Sequence, residues 1–317
     1  MGGETAHEGR GVRIEDGDYV LPVDKPEGPT SHDVVAAARR ALGTRKVGHT
    51  GTLDPFASGL LLLCVGRATR VAEYLSALDK RYEAVARLGV ETDTLDLHGD
   101  VVSGTDDLTG VTPPAVAAAL SALSGVLDQV PPQFSAKKVA GEAMHRRARR
   151  GEHVELPPVR VTVHEIELLE LALPDVRFAV RCSSGTYVRA LARDLGSALG
   201  VGAHLTALRR TAVGRFHVSD AVPLDRLVDP ESVARARIDP VSALAHLRGI
   251  DVDARAAERL RHGQRLRIGP SAEAGGGEAA GARAEPGEPV AVAHAGALLA
   301  IAELDDGVLR PRKVFGP

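Results

Sequence analysis

One carboxylate in this chain has a setting suited to chemistry. Asp54 lies in the run Gly48-His49-Thr50-Gly51-Thr52-Leu53-Asp54-Pro55-Phe56-Ala57-Ser58-Gly59-Leu60-Leu61, just ahead of an apolar stretch at 60–65. Pro55 lacks a backbone N–H and disfavours helix at the residue before it, so Asp54 ends an extended or turning segment. Gly48, Gly51 and Gly59 permit tight turns or close approach of another backbone. In isolation an Asp-Pro is an ordinary turn starter feeding a buried strand. A carboxylate fixed this way can also act as a nucleophile, provided something keeps it ionised. His49, five positions earlier, invites reading as a general base.

Other candidates stand out by scarcity or charge. The chain has four Tyr, five Phe and no Trp, so Tyr82 and Tyr187 are conspicuous as faces for a planar ligand. Between 137 and 150, Lys137, Lys138, Arg146, Arg147, Arg149 and Arg150 face a single acid, Glu142, inside a chain of net charge −3. Such a cluster is either a solvated face or an arm that contacts phosphates. No Cys/His spacing suits zinc, and no structural metal is expected.

The elements that must position these residues read as alternating strands and helices. Residues 1–17 are polar and Gly-rich, a flexible tail. A strand at 19–23 leads through a turn containing Lys25 to a helix at 32–42, capped by Thr30 or Ser31. After the Asp54 loop come a buried strand at 60–65, a helix at 67–78, a strand at 82–88, a polar loop at 91–100 and a helix at 113–127. Strands at 159–170 and 176–182 precede an amphipathic helix at 187–199, which Gly200 and Gly202 end. A strand follows at 204–213. From about 248 onward the chain reads as a small β-rich unit, interrupted at 271–289 by a Gly/Ala/Glu-rich loop.

At 317 residues the chain can bury a large core. Cys64 and Cys182 lie far apart in apolar or strand-like contexts, which suits a reducing cytoplasm better than a disulfide framework. No secretory leader is visible at the N-terminus. The longest apolar run is far shorter than the ~20 residues that span a bilayer, so no membrane association is expected.

The Asp54 run resembles the signature of the TruB family of pseudouridine synthases, G-H-x-G-x-L-D-P-x-A-x-G-x-L, at every fixed position from Gly48 to Leu61. Further blocks follow in family order. Val23-Asp24-Lys25-Pro26 resembles its D-K-P block and Asp79-Lys80-Arg81-Tyr82 its K-x-Y block. Thr92-Asp93-Thr94-Leu95-Asp96 resembles T-D-T-x-D, and Ser183-Ser184-Gly185-Thr186-Tyr187-Val188-Arg189 resembles S-x-G-T-Y-x-R. Gly202 to Leu205 with Leu208-Arg209-Arg210 resembles the last block. The similarity spans about residues 19–215.

The resemblance implies an α+β pseudouridine synthase fold with a mixed, largely antiparallel central sheet flanked by helices. It divides the chain into a catalytic domain at 18–247, with a basic RNA-binding insertion at about 129–156, and a PUA-like RNA-binding domain at 248–317. It implies isomerisation of uridine 55 in the T loop of tRNA, without cofactor or metal, on a flipped-out base. Asp54 is then the nucleophile, Arg189 the arginine that pairs with it, and Tyr82 the aromatic stacked on the base, its hydroxyl a proton acceptor. Tyr187 and Leu208 wall the pocket. His49 fills the place of the flipped base in the RNA loop, not the role of a base catalyst. Lys25 either approaches the site or orders its turn, and the structural role is the one expected. Lys137, Lys138, Arg146, Arg147, Arg149 and Arg150 contact the RNA backbone. The partner is the tRNA T arm, with neither guide RNA nor obligate protein partner, and the enzyme is a monomer that can also assist tRNA folding.

Overall fold

The computed structural model describes residues 17–133, 138–139, 142–143, 156–268 and 287–315. The helix Ser31–Ala41 starts with a capping box: the Thr30 hydroxyl accepts from Asp33 N–H while the Asp33 carboxylate accepts from Thr30 N–H at 2.8 Å. Thr30 is therefore the cap, which leaves Ser31 free for another task described below. Its apolar stripe, Val34, Val35 and Ala38, packs on Leu21, Val23, Leu61 and Leu63 of two neighbouring strands.

These strands belong to a ten-stranded sheet. Its main path runs Val222–Pro223, Tyr19–Lys25, Ser58–Val65, Ala203–Val213, Lys80–Leu88, Asp175–Cys182, Val159–Ala172 and Gly125–Gln129. Val47–His49 adds to Ser58–Val65, and Phe216–His217 to Ala203–Val213. Two pairings are parallel, Tyr19–Lys25 with Val222–Pro223 and Ala203–Val213 with Ser58–Val65, and the rest are antiparallel. The sheet is thus mixed and largely antiparallel, as the family resemblance implies.

Ser58–Val65 is covered on both faces, which explains its unbroken apolar run, and each buried leucine there contributes roughly 2 kcal/mol. Lys80–Leu88 instead alternates, placing Lys80, Tyr82, Ala84, Ala86 and Leu88 on the inward face. Helices Pro113–Ala122 and Val188–Leu199 cover part of that face. The second ends at Gly200, left-handed at φ 74°.

Beyond the central sheet lies a five-stranded β unit, Arg248–Asp251, Pro289–His294, Ala297–Asp305, Val308–Val314 and Leu266–Arg267 in spatial order. Its Ala291, Ile301 and Phe315 join Val20, Leu60 and Val71 in one apolar cluster. Lys313 also pairs with Glu73, and Arg70 donates to the Val314 carbonyl, both at 2.5 Å.

Two readings of local structure are corrected. The helix expected at 113–127 stops at Ala122, because Gly125 takes φ 94° and starts the edge strand Gly125–Gln129. The β-rich C-terminal region also holds a helix, Ala254–Arg261, capped by Asp253 and buried through Ala257 and Leu260.

Candidate active site

The Asp54 loop is held almost residue by residue. Arg210 donates to the carbonyls of Gly51 (3.1 Å) and Thr52 (3.4 Å). The Ser31 hydroxyl, freed from capping, accepts from Leu53 N–H (2.9 Å) and donates to Leu53 C=O (3.2 Å). The Pro55 carbonyl accepts from Gly28 N–H (2.8 Å) and from Lys25 Nζ (3.4 Å). Lys25 is fully buried and also donates to Pro26 C=O, and its charge acts on the Asp54 carboxylate as well. Burial lowers the Lys25 pKa to about 8. A loop this constrained presents one carboxylate in one orientation.

That carboxylate meets Arg189, whose Nε lies 3.0 Å from Asp54 Oδ2. Arg189 sits in the first turn of Val188–Leu199, where the helix dipole opposes a cation, and it is only 5% exposed. Two carboxylates and a carbonyl compensate it. Its Nη1 lies 3.1 Å from Asp96 Oδ2 and donates to Thr94 C=O at 2.8 Å. Asp96 is locked in turn, its Oδ1 accepting from the Thr94 hydroxyl and from His98 N–H. The result is an Asp54–Arg189–Asp96 array, buried at Arg189 and Asp96, whose planar fork fixes geometry as well as charge.

The Asp54 side chain keeps a third of its surface open to a cavity of about 460 Å³. His49, Tyr82, Tyr187, Arg189, Leu208, Lys80 and Arg210 line that cavity with Asp54. Surrounding protein, more than any other influence, pushes the Asp54 carboxyl above its usual range, and Asp96 adds to the effect. Arg189 and Lys25 oppose them. The pair thus keeps available an anion that burial resists.

Tyr82 is buried, with its hydroxyl against the Arg210 guanidinium, and burial pushes the phenol up, so it is neutral at pH 7. Leu208 is buried on the adjacent strand. Tyr187 is half-buried, and Gln129 grips its backbone, accepting from its N–H (2.8 Å) and donating to its C=O (3.2 Å). His49 Nδ1 accepts from Gly51 N–H at 3.3 Å, and burial with His32 nearby pushes its pKa down. A neutral ring with that lone pair engaged suits a space-filling role better than proton abstraction.

Asp54, His49, Tyr82, Tyr187, Arg189 and Leu208 therefore converge on one cavity. Lys137, Arg146, Arg147, Arg149 and Arg150 lie outside the described residues, and Lys138 is described only as part of the backbone strand Lys138–Val139. Three site residues had no assigned role from sequence: Asp96, Lys80 and Arg210. Arg210 is 2% exposed and donates to Leu60 C=O at 2.6 Å besides the Asp54 loop. Lys80 donates to Ser76 and Leu78 carbonyls, and burial lowers its pKa to about 8. Among the described residues no three His, Cys, Asp or Glu side chains converge as a metal site, and no helix is long and apolar enough to cross a membrane.

Comparison with known proteins places this geometry. Residues 39–188 match the model of the TruB family pseudouridylate synthase N-terminal domain, and residues 189–246 that of the tRNA pseudouridylate synthase B C-terminal domain. The tRNA pseudouridine synthase B of Mycobacterium sp. (strain KMS) is 49% identical over 254 residues, covering 79% of this chain and 84% of that protein. That of Thermobifida fusca (strain YX) is 46% identical over 312 residues, covering 94% and 98%. Among solved structures, a chain of a Cbf5-Nop10-Gar1 complex superposes with a TM-score of 0.72 at 29% identity, covering 94% of this chain and 85% of its own. One of an H/ACA RNP bound to a substrate RNA gives 0.71 at 28%, with the same coverage. The fold is that of the pseudouridine synthases, and the molecule is an isomerase of that class. Within the class, the chain belongs to the TruB family of pseudouridylate synthases.

Proposed function

We propose that this enzyme converts uridine 55, in the T loop of tRNA, to pseudouridine. The observation that carries the reading is the Asp54–Arg189 pair, 3.0 Å apart and opening into a cavity lined by Tyr82. The reaction breaks the C1′–N1 glycosidic bond, rejoins C1′ to C5 of the same uracil, and moves the C5 proton away. Atoms balance without a second substrate. In this reading Asp54 is the nucleophile that attacks the nucleoside covalently, kept ionised by Arg189. Tyr82 offers its ring face to a uracil withdrawn from the RNA stack. Tyr187 and Leu208 wall the pocket, which keeps the detached base in place for the second bond. His49 fills the gap the base leaves in the loop.

The basic segment 129–156 and the β unit from 248 onward supply RNA contacts outside the pocket. Binding and remodelling of tRNA need no carboxylate, so assistance to tRNA folding can accompany catalysis. The relatives named tRNA pseudouridine synthase B, 45–49% identical, support tRNA as substrate; in this reading the enzyme acts as a lone chain in the cytoplasm. The test is to incubate purified protein with unmodified tRNA transcript, without guide RNA, and map pseudouridine. Modification at position 55 alone is expected. Activity only with an added guide RNA would overturn the reading in favour of the ribonucleoprotein mode named for the structural neighbours.

A further inference from the structure

A second concentration of positive charge lies outside the insertion. Between 39 and 70 the chain carries Arg39, Arg40, Arg45, Lys46, Arg67 and Arg70, with Asp54 as the sole acid, in a protein whose net charge is −3. The structure divides these cations into two groups. Arg39 donates to Val47 C=O (2.9 Å), Arg67 pairs with Asp18 (2.5 Å), and Arg70 donates to Val314 C=O while lying over the Phe315 ring. Arg40, Arg45 and Lys46 have no such employment: all three are exposed, and no carboxylate among the described residues lies within ion-pairing distance of them.

Their place in the fold ties them to the active site. Arg40 is in the last turn of Ser31–Ala41, and Arg45 and Lys46 directly precede the strand Val47–His49, whose last residue lines the cavity. Along that strand Lys46 stands about 10 Å from His49. The backbone beneath is fixed, since the Lys46 carbonyl accepts from Gly66 N–H (2.8 Å) and Arg39 braces the strand from the helix. Three uncompensated cations on a rigid support, one short strand from the mouth of the site, have the disposition that a polyanion strand entering the site requires.

We infer that Arg40, Arg45 and Lys46 form a phosphate-contacting track for the RNA strand that leads out of the active site, separate from the 137–150 cluster. The inference rests on the RNA-substrate reading above and adds residues to it. These contacts carry no base specificity; they add affinity and hold the register of the RNA on the enzyme.

The test compares the wild-type full chain with Arg40→Gln/Arg45→Gln/Lys46→Gln and with the charge-preserving Arg40→Lys/Arg45→Lys/Lys46→Arg. Affinity for unmodified tRNA transcript is measured from about 50 to about 200 mM salt, and turnover at saturating tRNA. The Gln variant is expected to show a log–log salt slope shallower by 1 or more, while the charge-preserving variant keeps the wild-type slope. A slope shallower by about 2 means that a fourfold rise in salt costs the variant about sixteenfold less affinity than it costs the wild type. Turnover at saturation is expected to stay at the wild-type level. A slope change below 1 in the Gln variant, or an equal change in the charge-preserving one, overturns the track. The readout is binding, so it stands apart from which uridine is modified. Loss of position-55 specificity would leave the slopes untouched, and a failed track would leave the modification map untouched.

Discussion

Arg189 bonds Asp54 through Nε at 3.0 Å and reaches Asp96 through Nη1 at 3.1 Å, so one guanidinium aligns the carboxylate that faces the cavity against a second that lies off it. Asp96 sits behind the arginine, saturated by Thr94 and His98, and has no place on the cavity wall. Its work is to hold Arg189 still. The expected hierarchy follows from that geometry. Arg189→Lys, a point charge that cannot fork between two acids, lowers kcat/KM by about 10²-fold or more. Arg189→Met leaves two carboxylates facing each other in a buried site and costs about 3–5 kcal/mol of stability, read by denaturant unfolding. Asp96→Asn lowers kcat while KM stays near the wild-type value, because the substrate does not touch it.

The Asp54 carboxyl binds its proton more tightly in the folded enzyme than in the unfolded chain, chiefly through burial. Activity therefore falls as pH drops through that raised value, and the acid limb of kcat/KM lies above the ordinary carboxylate value of 3.8. The stability sign follows by linkage. Below the unfolded value the protonated carboxyl costs nothing; as pH rises through the folded value, ionisation of the buried group destabilises the fold. Asp54→Asn removes that cost. Its Tm relative to wild type is expected to increase as pH rises from the ordinary carboxylate value of 3.8 through the raised folded value, and to exceed wild type at neutrality. A variant less stable than wild type at pH 7 would show that the Arg189 bond outweighs burial.

Tyr82 separates into a ring and a hydroxyl. Tyr82→Phe keeps the stacking face, so tRNA affinity holds while turnover falls if the hydroxyl moves the C5 proton. Tyr82→Ala empties a buried site, lowering affinity and costing about 3–5 kcal/mol of stability. Binding and single-turnover assays on both variants distinguish stacking from proton transfer.

Gly59 pairs with Arg210 in a parallel register so close that a Cβ on Gly59 would stand 2.3 Å from the Arg210 carbonyl oxygen, at a φ of 104°. Gly59→Ala is expected to lose about 2–4 kcal/mol and to lower activity with it, since Arg210 is what ties down Gly51 and Thr52 ahead of Asp54. Arg210→Lys, which keeps charge but not the three-way fork, lowers kcat more than tRNA affinity. Thermal unfolding beside kcat and Kd checks both substitutions.

Much of the site was legible in the sequence because its motifs are local. The Asp54 run fixes its own turn, and the alternation around Tyr82 fixes which face that ring takes. Asp96 was visible as part of a T-D-T-x-D block, but its partner lies 93 residues away, and only the packing of Val188–Leu199 beside that loop unites them. Arg210 carried a subtler signal. On its strand it shares the inward face with Leu208 and Ala212, so a period-two reading would have marked it as a buried cation in need of acceptors. Arg209, facing the other way, pairs with Asp24. The overrun at 123–127 has a plain cause: Val126 and Leu127 continue an apolar texture, but Gly125 turns the chain left-handed and redirects it into an edge strand. In the C-terminal region the helix Ala254–Arg261 buries only Ala257 and Leu260 among charged residues, an apolar stripe too short to stand out in the sequence.

In the proposed reaction Asp54 is the one group on which the chemistry rests. The most direct test of that role is to map pseudouridine in bare tRNA transcript treated with wild type or with Asp54→Asn, with tRNA affinity measured in parallel. Pseudouridine at position 55 is expected with wild type, none with Asp54→Asn, and near-equal affinity for the two. Retained turnover in Asp54→Asn would contradict that role.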